Sequence, residues 1–288
     1  MKKTFLSLLI TIVMLFIVPT AADAYFRSTP FLGIGLGWNI YNKADVSELG
    51  PAWVYNWTLP PATGNNPYTD FGSQFVPMVW GCGGNVSVQN WITTNSYSGP
   101  VLFLNEPDNG TEGGGSNCSP ANAVLQLENF ITWKKTYELQ TSRTIDIIFG
   151  GTYFGPDMNW ARNTSGRIWI EEFYVQWKAR NAVDPEIAGV HLHMYPWYPD
   201  VEASQPLPSW LSKESLLAHM KRRWTGGRDP LYNQDLIGWK QWLNDPVNTW
   251  ALGTKSEIWI TEMGILHDRV PKASADYVLQ QIIPYFES

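Results

Sequence analysis

Two apolar segments that each lead into a glutamate constrain the fold more than any other feature of the sequence. The first covers residues 101–104 and is followed directly by Asn105 and Glu106. Its apolar run predicts a buried strand, and the proline after the glutamate ends the pairing because proline has no backbone N–H. The second segment, residues 257–261, leads into Glu262 in the same way. A buried strand therefore presents a carboxylate at its carboxyl end at two places in the chain.

Other apolar runs alternate with helical patterns, which is typical of βαβ units and a parallel sheet. We predict strands at residues 33–38, 52–57, 74–80, 100–105, 145–150, 187–195 and 257–261, and helices at 119–139, 168–180 and 273–286. This order predicts an α/β fold, a (β/α)8 TIM barrel, in which the carboxyl ends of the strands share the face that carries the chemistry.

The strand count stops at seven, one short of a complete barrel. We expect the eighth strand and helix to be missing, either because the chain is truncated at its carboxyl end or because the barrel is left open. An open barrel would expose two unpaired strand edges, which promote aggregation, so truncation is the favoured interpretation. We therefore predict one barrel domain over residues 25–288.

The first 24 residues have the pattern of a secretory signal peptide. Lys2 and Lys3 form a charged start, residues 5–18 form an apolar centre, and the Ala-Asp-Ala of residues 22–24 suits cleavage. An uncleaved anchor is the alternative, but the apolar run is short for a bilayer span. We expect residues 1–24 to be removed and the mature chain to be secreted (extracellular or periplasmic), with no further attachment to a membrane.

Export gives the two cysteines a specific meaning, because disulfides persist in oxidising compartments. Cys82 follows the third predicted strand and Cys118 the fourth, and the loops after neighbouring parallel strands lie side by side. We predict a Cys82–Cys118 disulfide beside the mouth of the site, with two free thiols as the alternative. Neither cysteine has a histidine at nucleophile or zinc-ligand spacing, which argues against thiol chemistry and a zinc site.

Composition narrows the class of partner. The formal net charge is −6 at pH 7, which argues against nucleic acid, because proteins that bind it present a basic face. The chain has 16 Trp, 13 Tyr and 12 Phe, and flat rings with a polar edge suit the faces of sugars in an open groove. Many of these rings belong to the core. The tryptophans at or after predicted strand ends are the groove candidates: Trp38, Trp53, Trp57, Trp80, Trp91 and Trp197.

The sixth predicted strand carries polar side chains on one face. His191, His193 and Tyr195 alternate with apolar residues, so we expect them to face the barrel interior while the apolar residues meet the helices. A His-x-His pair could suggest a metal, but no third ligand is evident in the sequence. Residues that line a sugar site are the better interpretation, and we predict no bound metal.

Five short motifs carry a resemblance to a known family. They are Trp-Val-Tyr-Asn-Trp at 53–57, Phe-Val-Pro-Met-Val-Trp-Gly at 75–81, Leu-Asn-Glu-Pro-Asp at 104–108, His-Met-Tyr at 193–195 and Trp-Ile-Thr-Glu-Met-Gly at 259–264. With them the chain resembles glycoside hydrolase family 128, endo-β-1,3-glucanases of the large clan of retaining (β/α)8 glycosidases. The Asn-Glu-Pro and Thr-Glu-Met-Gly pieces mark the clan, and the Tyr-Asn-Trp and Val-Pro-Met-Val-Trp-Gly pieces point to the family.

The resemblance implies a role for each carboxylate. Glu106 is the expected general acid/base and Glu262 the expected nucleophile, which requires the two carboxyl groups to lie about 5–5.5 Å apart. Asn105 is expected to hold a sugar hydroxyl beside the reacting centre, and Tyr195 to hydrogen-bond Glu262. Asp108 follows the acid and either orients it or caps the loop, and the sequence leaves both roles open.

These observations predict a secreted retaining endo-β-1,3-glucanase that acts on polysaccharide as a monomer and without a cofactor. Asn56 begins a glycosylation sequon, but its place at a strand end favours a role in the site. Two alternatives stay open: a secreted glucan-binding protein without turnover, and a clan relative that acts on mannan or xylan. The expected substrate-binding residues are Asn105, Trp38, Asn56, Trp57, Trp80, Asp108, His193 and Tyr195.

Overall fold

The computed structural model describes residues 33–36, 41–61, 65–110, 115–154, 166–194 and 257–263, with isolated positions between 214 and 281. The predicted signal peptide of residues 1–24, Trp38, Tyr195 and Trp197 lie outside the described residues, as does most of the predicted helix at 273–286. Within the described part of the chain, no helix combines the length and the apolar character that a membrane crossing needs.

Parallel strands alternate with helices along the described chain. The strands are β1 (Gly33–Gly35), β2 (Trp53–Tyr55), β3 (Phe75–Val76), β4 (Met78–Val79), β5 (Gly99–Phe103), β6 (Ile145–Phe154), β7 (Gly189–Met194) and β8 (Glu257–Met263). The helices are α1 (Lys43–Leu49), α2 (Pro67–Phe71), α3 (Asn85–Asn95), α4 (Pro120–Thr141) and α5 (Gly166–Arg180). All strand pairs are parallel, in the orders β1-β2-β3 and β4-β5-β6-β7-β8. The predicted α/β class with a parallel arrangement is therefore confirmed.

Pro77 divides the third predicted strand into β3 and β4. β3 pairs with β2 and β4 pairs with β5, so the strand order still follows the chain. Proline cannot donate to the ladder, but the Pro77 carbonyl oxygen accepts a 3.0 Å hydrogen bond from the Leu102 N–H. The seven predicted strands thus correspond to β1 through β8, with the proline as the point where one strand changes its partner.

Glycines in β1 leave room for large rings of β2. A Cβ on Gly33 would overlap the Trp53 indole, and a Cβ on Gly35 would lie 3.0 Å from the Tyr55 ring. The Tyr55 hydroxyl donates a 2.9 Å hydrogen bond to the Thr261 carbonyl oxygen of β8. Side chains of β2 therefore reach β8, although the two strands are not paired.

The two long helices form the main core with β5 and β6. α4 begins after Ser119, whose Oγ accepts a 3.3 Å hydrogen bond from the Asn122 N–H, and a proline occupies the first turn. The ring of Phe149 on β6 lies 4.3 Å from that of Phe173 on α5. Buried polar residues collect instead toward the carboxyl ends of the strands, and they include Asn56, Asn105, Glu106, Asp108, Thr152, His193 and Thr261.

Candidate active site

A sharp turn at the carboxyl end of β5 carries Glu106 inward. The N–H groups of the two preceding residues donate hydrogen bonds of 2.8 and 2.9 Å to carbonyl oxygens at the end of β4. The Glu106 N–H donates a 2.7 Å hydrogen bond to the Gly151 carbonyl oxygen. Leu104 has φ 77° and Glu106 has φ 41°, in the left-handed region that is strained for residues with a side chain. These hydrogen bonds therefore hold a strained turn that buries the Glu106 side chain.

Gly151 is required by the backbone around this turn. Its φ is 57°, and a Cβ there would lie 2.5 Å from the Leu104 carbonyl oxygen and 2.6 Å from the His191 ring. We expect Gly151→Ala to lower the free energy of unfolding by roughly 2–3 kcal/mol, because it adds a clash to a left-handed backbone. Gly83→Ala is the matched control, since a Cβ there meets nothing within 4 Å. Urea denaturation measures both changes, and equal losses would contradict this interpretation.

Both oxygens of the Glu106 carboxyl group have a hydrogen-bond partner. Asn109 Nδ2 donates a 2.8 Å hydrogen bond to Oε2. His193 Nδ1, on β7, lies 2.9 Å from Oε1. The His193 side chain is fully buried, so water does not screen this pair. Two neighbours therefore hold the carboxyl group in one orientation.

Glu262 lies on the other side of the same histidine. Its Oε2 is 3.4 Å from His193 Nδ1, and Trp57 Nε1 donates a 2.5 Å hydrogen bond to its Oε1. One possible ligand atom from each of Glu106, His193 and Glu262 lies within 4.8 Å of the other two. The two glutamates that end apolar segments therefore meet at one histidine, and Glu262 lies within β8 rather than after it.

A register shift between β7 and β8 turns Glu262 toward the site. The pairing changes just before His193, which then lies opposite Glu262. Successive side chains of a regular strand point to opposite faces. Here Thr261 Oγ1 lies 3.0 Å from His191 Nδ1, while the next residue, Glu262, contacts His193. The irregularity re-aims one side chain, as β-bulges beside active sites do.

His191 is a neutral structural link beneath the site. Burial lowers its pKa to about 3, and the charge of His193 acts in the same direction. Its Nδ1 lies 3.0 Å from Thr261 Oγ1 and its Nε2 lies 3.3 Å from the Phe103 carbonyl oxygen. The carbonyl can only accept, so Nε2 carries the proton and Nδ1 accepts from the threonine hydroxyl.

His193 has the opposite electrostatic environment. Burial alone would lower its pKa, but the hydrogen bond to Glu106 and the charges of Glu262, Glu106 and Asp108 together outweigh burial. The net result is a pKa raised above its ordinary value. A protonated His193 therefore balances the negative charge of the carboxylates around it.

The two histidines predict opposite dependences of stability on pH. Because folding raises the pKa of His193, protonated His193 contributes to the stability of the fold. This contribution is fully present below about pH 6.5 and is lost as the pH rises through the folded-state pKa. Because folding lowers the pKa of His191, the fold favours its neutral form. The resulting contribution to stability is present above about pH 6.5 and is lost as the pH falls toward about 3. His193→Gln should remove the first dependence and His191→Gln the second. Urea unfolding at a series of pH values tests this, and slopes equal to those of the wild type would refute it.

Three other predicted site residues are buried, and two of them, Asn105 and Asp108, lie beside this centre. The Asn105 carbonyl oxygen accepts a 2.9 Å hydrogen bond from the Ser116 N–H. Asp108 is 8% exposed and contributes to the raised pKa of His193. Asn56 is 1% exposed, and its Oδ1 accepts hydrogen bonds from the N–H and hydroxyl of Thr58 at 2.7 and 2.8 Å. Asn56 therefore shapes the turn after β2.

The predicted tryptophans divide into packed rings and one open ring. Trp53 lies 5.0 Å from the Trp259 ring, and Trp91 packs against other rings of the core. Trp57 is half-buried, and its indole N–H donates a hydrogen bond to the Glu262 carboxylate. Trp80 follows β4 and is 38% exposed. Of the four that the structure describes, Trp80 is the most exposed and is therefore the best candidate to contact a ligand.

Cys82 and Cys118 form the predicted disulfide, with Cα atoms 5.6 Å apart. The bond joins the loop after β4 to the loop that carries Glu106. Among the described residues, the group that could hold a metal ion is Glu106, His193 and Glu262. The hydrogen bonds within this group explain the arrangement of its three side chains without a metal ion. That the protein binds no metal stays a prediction.

Two contributors to the site were not predicted from the sequence. Asn109 lies three residues after Glu106 in a polar loop. Nothing in the sequence indicates that its side-chain amide turns back to contact Glu106. Gly151 belongs to a Gly-Gly pair with φ values of 122° and 57°. A double glycine often marks a backbone that needs unusual dihedral angles, and it is the signal that could have been used.

Comparisons with known proteins bear on the family. The chain is similar in structure to a glycoside hydrolase family 128 (subgroup II) endo-β-1,3-glucanase from Pseudomonas viridiflava, at 19% identity over 86% of this chain and 91% of that chain, with a TM-score of 0.45. It is also similar to a family 128 (subgroup VII) oligosaccharide-binding protein from Trichoderma gamsii, at 13% identity over 91% and 80%, with a TM-score of 0.48. No curated protein shows a significant match.

The family match is independent of these two distant likenesses. The family model described as the glycosyl hydrolase catalytic core matches residues 35–213, which is more than half of the 288 residues. The matched segment includes the β5 turn and Glu106. The chain therefore belongs to the glycosyl hydrolase catalytic core family, in agreement with the resemblance carried by its motifs.

Proposed function

We propose that the chain is a retaining glycoside hydrolase that cleaves β-1,3-glucan internally by a double displacement. The observation that carries this proposal is the spacing of Glu106 and Glu262, which have one carboxylate oxygen each within 4.8 Å of the other. Retaining enzymes hold their two carboxyl groups roughly 5–5.5 Å apart, whereas inverting enzymes need roughly 6.5–9.5 Å to admit a water molecule. The close approach supports the retaining class.

Glu262 is proposed as the nucleophile. The Trp57 N–H points at its Oε1, and a donor on a carboxylate favours the charged, attacking form. Attack on the anomeric carbon breaks the glycosidic bond and forms a glycosyl ester with Glu262. The neighbouring His193 contributes positive charge beside the ionised carboxylate.

Glu106 is proposed as the general acid/base. It gives a proton to the leaving oxygen in the first step and takes one from water in the second. Asn109 and His193 hold its two oxygens in one orientation, which supports accurate positioning of the carboxyl group. His193 contacts both carboxyl groups. Its positive charge can therefore stabilise the negative charge that Glu106 acquires when its proton leaves.

The proposal extends to the barrel, the substrate and the location of the protein. A (β/α) barrel arrangement is supported by the parallel strand order and by the contact of β2 with β8. Export after removal of residues 1–24 is supported by the signal pattern and by the disulfide. The choice of β-1,3-glucan rests on the family 128 motifs at residues 53–57 and 75–81.

Because Trp80 is exposed, we expect its loss to weaken substrate binding without slowing the chemical step. We expect Trp80→Ala to raise KM on long glucan about tenfold, since lost stacking against a sugar costs roughly 1–2 kcal/mol, and to change kcat less than twofold. Leu139→Ala is the control, because Leu139 is an exposed apolar residue at the far end of α4. Steady-state kinetics test this, and a loss in kcat without a change in KM would contradict it.

Sugar release by the purified chain tests the proposed function. Linear β-1,3-glucan is incubated with the protein, with xylan and mannan alongside, and the products are separated by size. Oligosaccharides of several lengths from β-1,3-glucan alone are the expected result. Release from another polysaccharide would change the substrate class, and binding of glucan without any release would support a binding protein instead.

A further inference from the structure

The loop that carries Glu106 has a left-handed backbone near both of its ends, and the strained residues are those near the first end. We call residues 104–110 and 115–118 the acid/base loop. Leu104 and Glu106 have φ values of 77° and 41°, and Asn117 near the other end has φ 48°. A left-handed backbone is unfavourable for leucine and glutamate and persists only where surrounding contacts enforce it. The position of the Glu106 carboxyl group therefore depends on what restrains this loop.

The far end of the acid/base loop lies directly against the backbone of Glu106. The Ser116 N–H donates hydrogen bonds of 2.9 and 3.2 Å to the carbonyl oxygens of Asn105 and Glu106. The Asn117 N–H donates a 3.0 Å hydrogen bond to the Asn109 carbonyl oxygen. A Cβ at the preceding glycine, residue 115, would lie 2.7 Å from the Glu106 carbonyl oxygen. Movement of residues 115–117 would therefore move both Glu106 and Asn109, which hydrogen-bonds the carboxyl group.

Cys118 follows this segment immediately and ties it to the neighbouring loop. It is buried, and its sulfur is bonded to Cys82, two residues after Trp80. A Cβ on Gly81 would lie 3.1 Å from the Ser116 Cβ, so the two loops also touch beside the bond. The Cys118 carbonyl oxygen accepts a 2.9 Å hydrogen bond from Trp169 Nε1, which holds the backbone at the end of the acid/base loop against α5. Without the disulfide, the Cys118 backbone keeps this hydrogen bond, while the segment before it loses its covalent link to the loop after β4.

We propose that the Cys82–Cys118 disulfide is a positioning element for the general acid/base, and not only a cross-link that stabilises the fold. This inference rests on the proposed function of Glu106. It predicts that loss of the bond impairs proton transfer to the leaving oxygen, whereas the attack by Glu262, which is held by Trp57 and β8, is preserved.

Leaving-group dependence tests the proposal. The full chain with Cys82→Ala and Cys118→Ala is assayed on β-1,3-glucan and on the 2,4-dinitrophenyl glycoside of a β-1,3-linked glucobiose, whose leaving group departs without a proton. The ratio of kcat/KM values is used, because kcat/KM reports the step that breaks the glycosidic bond. We expect a loss of about 10- to 100-fold on glucan and less than threefold on the dinitrophenyl glycoside.

A variant destabilised elsewhere separates positioning from stability. Tyr137 lies in α4, away from the acid/base loop, and its hydroxyl donates a buried 2.7 Å hydrogen bond to the Tyr97 carbonyl oxygen, which Tyr137→Phe removes. It is expected to leave the ratio between the two substrates unchanged. Equal losses on both substrates in the double cysteine variant, or no loss on either, would overturn the proposal.

Two further measurements keep the test decisive. If the double cysteine variant does not fold, the same ratio is measured on folded wild-type protein before and after reduction with a phosphine, with the same expectation. If the wild-type chain cleaves neither substrate, the proposed function itself fails and the positioning role falls with it. Wild-type turnover with an unchanged ratio after loss of the bond refutes the positioning role alone.

Discussion

Glu262→Ala is expected to lower kcat/KM on linear β-1,3-glucan by about 10⁴-fold or more, because the covalent step loses its attacking oxygen. The vacated space beside Trp57 can admit a small anion. Added azide is therefore expected to restore part of the rate on the dinitrophenyl glycoside and to give a glycosyl azide of inverted, α configuration. Initial rates and the proton spectrum of the azide product measure both effects.

Glu257→Gln is the matched control for this variant. Glu257 lies on the same strand, but its side chain is exposed and accepts a 2.9 Å hydrogen bond from Trp259 Nε1, away from the histidine. We expect its kcat/KM to stay within twofold of the wild type. A near wild-type rate for Glu262→Ala, or an equal loss in Glu257→Gln, would contradict the role of Glu262 as nucleophile.

Glu106→Ala is expected to show a loss that depends on the leaving group. On β-1,3-glucan, kcat/KM should fall by about 10²–10⁴-fold, because the leaving oxygen is no longer protonated. On the dinitrophenyl glycoside, kcat/KM should change little. Azide should raise kcat and give the β-configured azide, because it attacks the glycosyl ester on Glu262 in place of water.

The configuration of the azide product assigns the two roles independently of the size of the rate losses. Glu172→Ala, which removes an exposed glutamate of α5, serves as the control and should behave as wild type. A Glu106→Ala variant that loses activity equally on both substrates, or that yields the α-configured azide, would show that Glu106 is not the general acid/base.

The positions of Glu106 and Glu262 follow from the sequence because each ends an apolar run that is long enough to identify a buried strand. The alternation of strands and helices then predicts that their carboxyl ends share one face. The same reasoning predicts the disulfide, because Cys82 and Cys118 follow neighbouring strands, and the structure confirms it.

The two shortest helices, α1 and α2, could not be predicted from apolar periodicity. α1 buries Val46 and α2 buries Pro67, so neither has an apolar stripe. Their clearest signals are caps: Asn42 and Asn66 accept hydrogen bonds from the Ala44 and Thr69 N–H groups. Tertiary packing, rather than periodicity, determines these elements.

The contact between His193 and Glu262 depends on a feature that could not be predicted from the sequence. His193 and Glu262 are each recognisable at a strand end, but their meeting requires the register shift between β7 and β8. A shift of one residue moves a side chain to the other face of a strand, and no local pattern specifies it. Asn56 shows the same limit, because its amide is engaged by Thr58 in a turn that follows β2.

The anomeric configuration of the first product tests the central claim most directly. Hydrolysis of a β-1,3-linked oligosaccharide is followed by proton NMR within minutes, before mutarotation mixes the anomers. A close pair of carboxyl groups acting by double displacement predicts that the new reducing end appears first as the β anomer. Initial formation of the α anomer would contradict the assignment of Glu262 as a nucleophile and of the chain as a retaining enzyme.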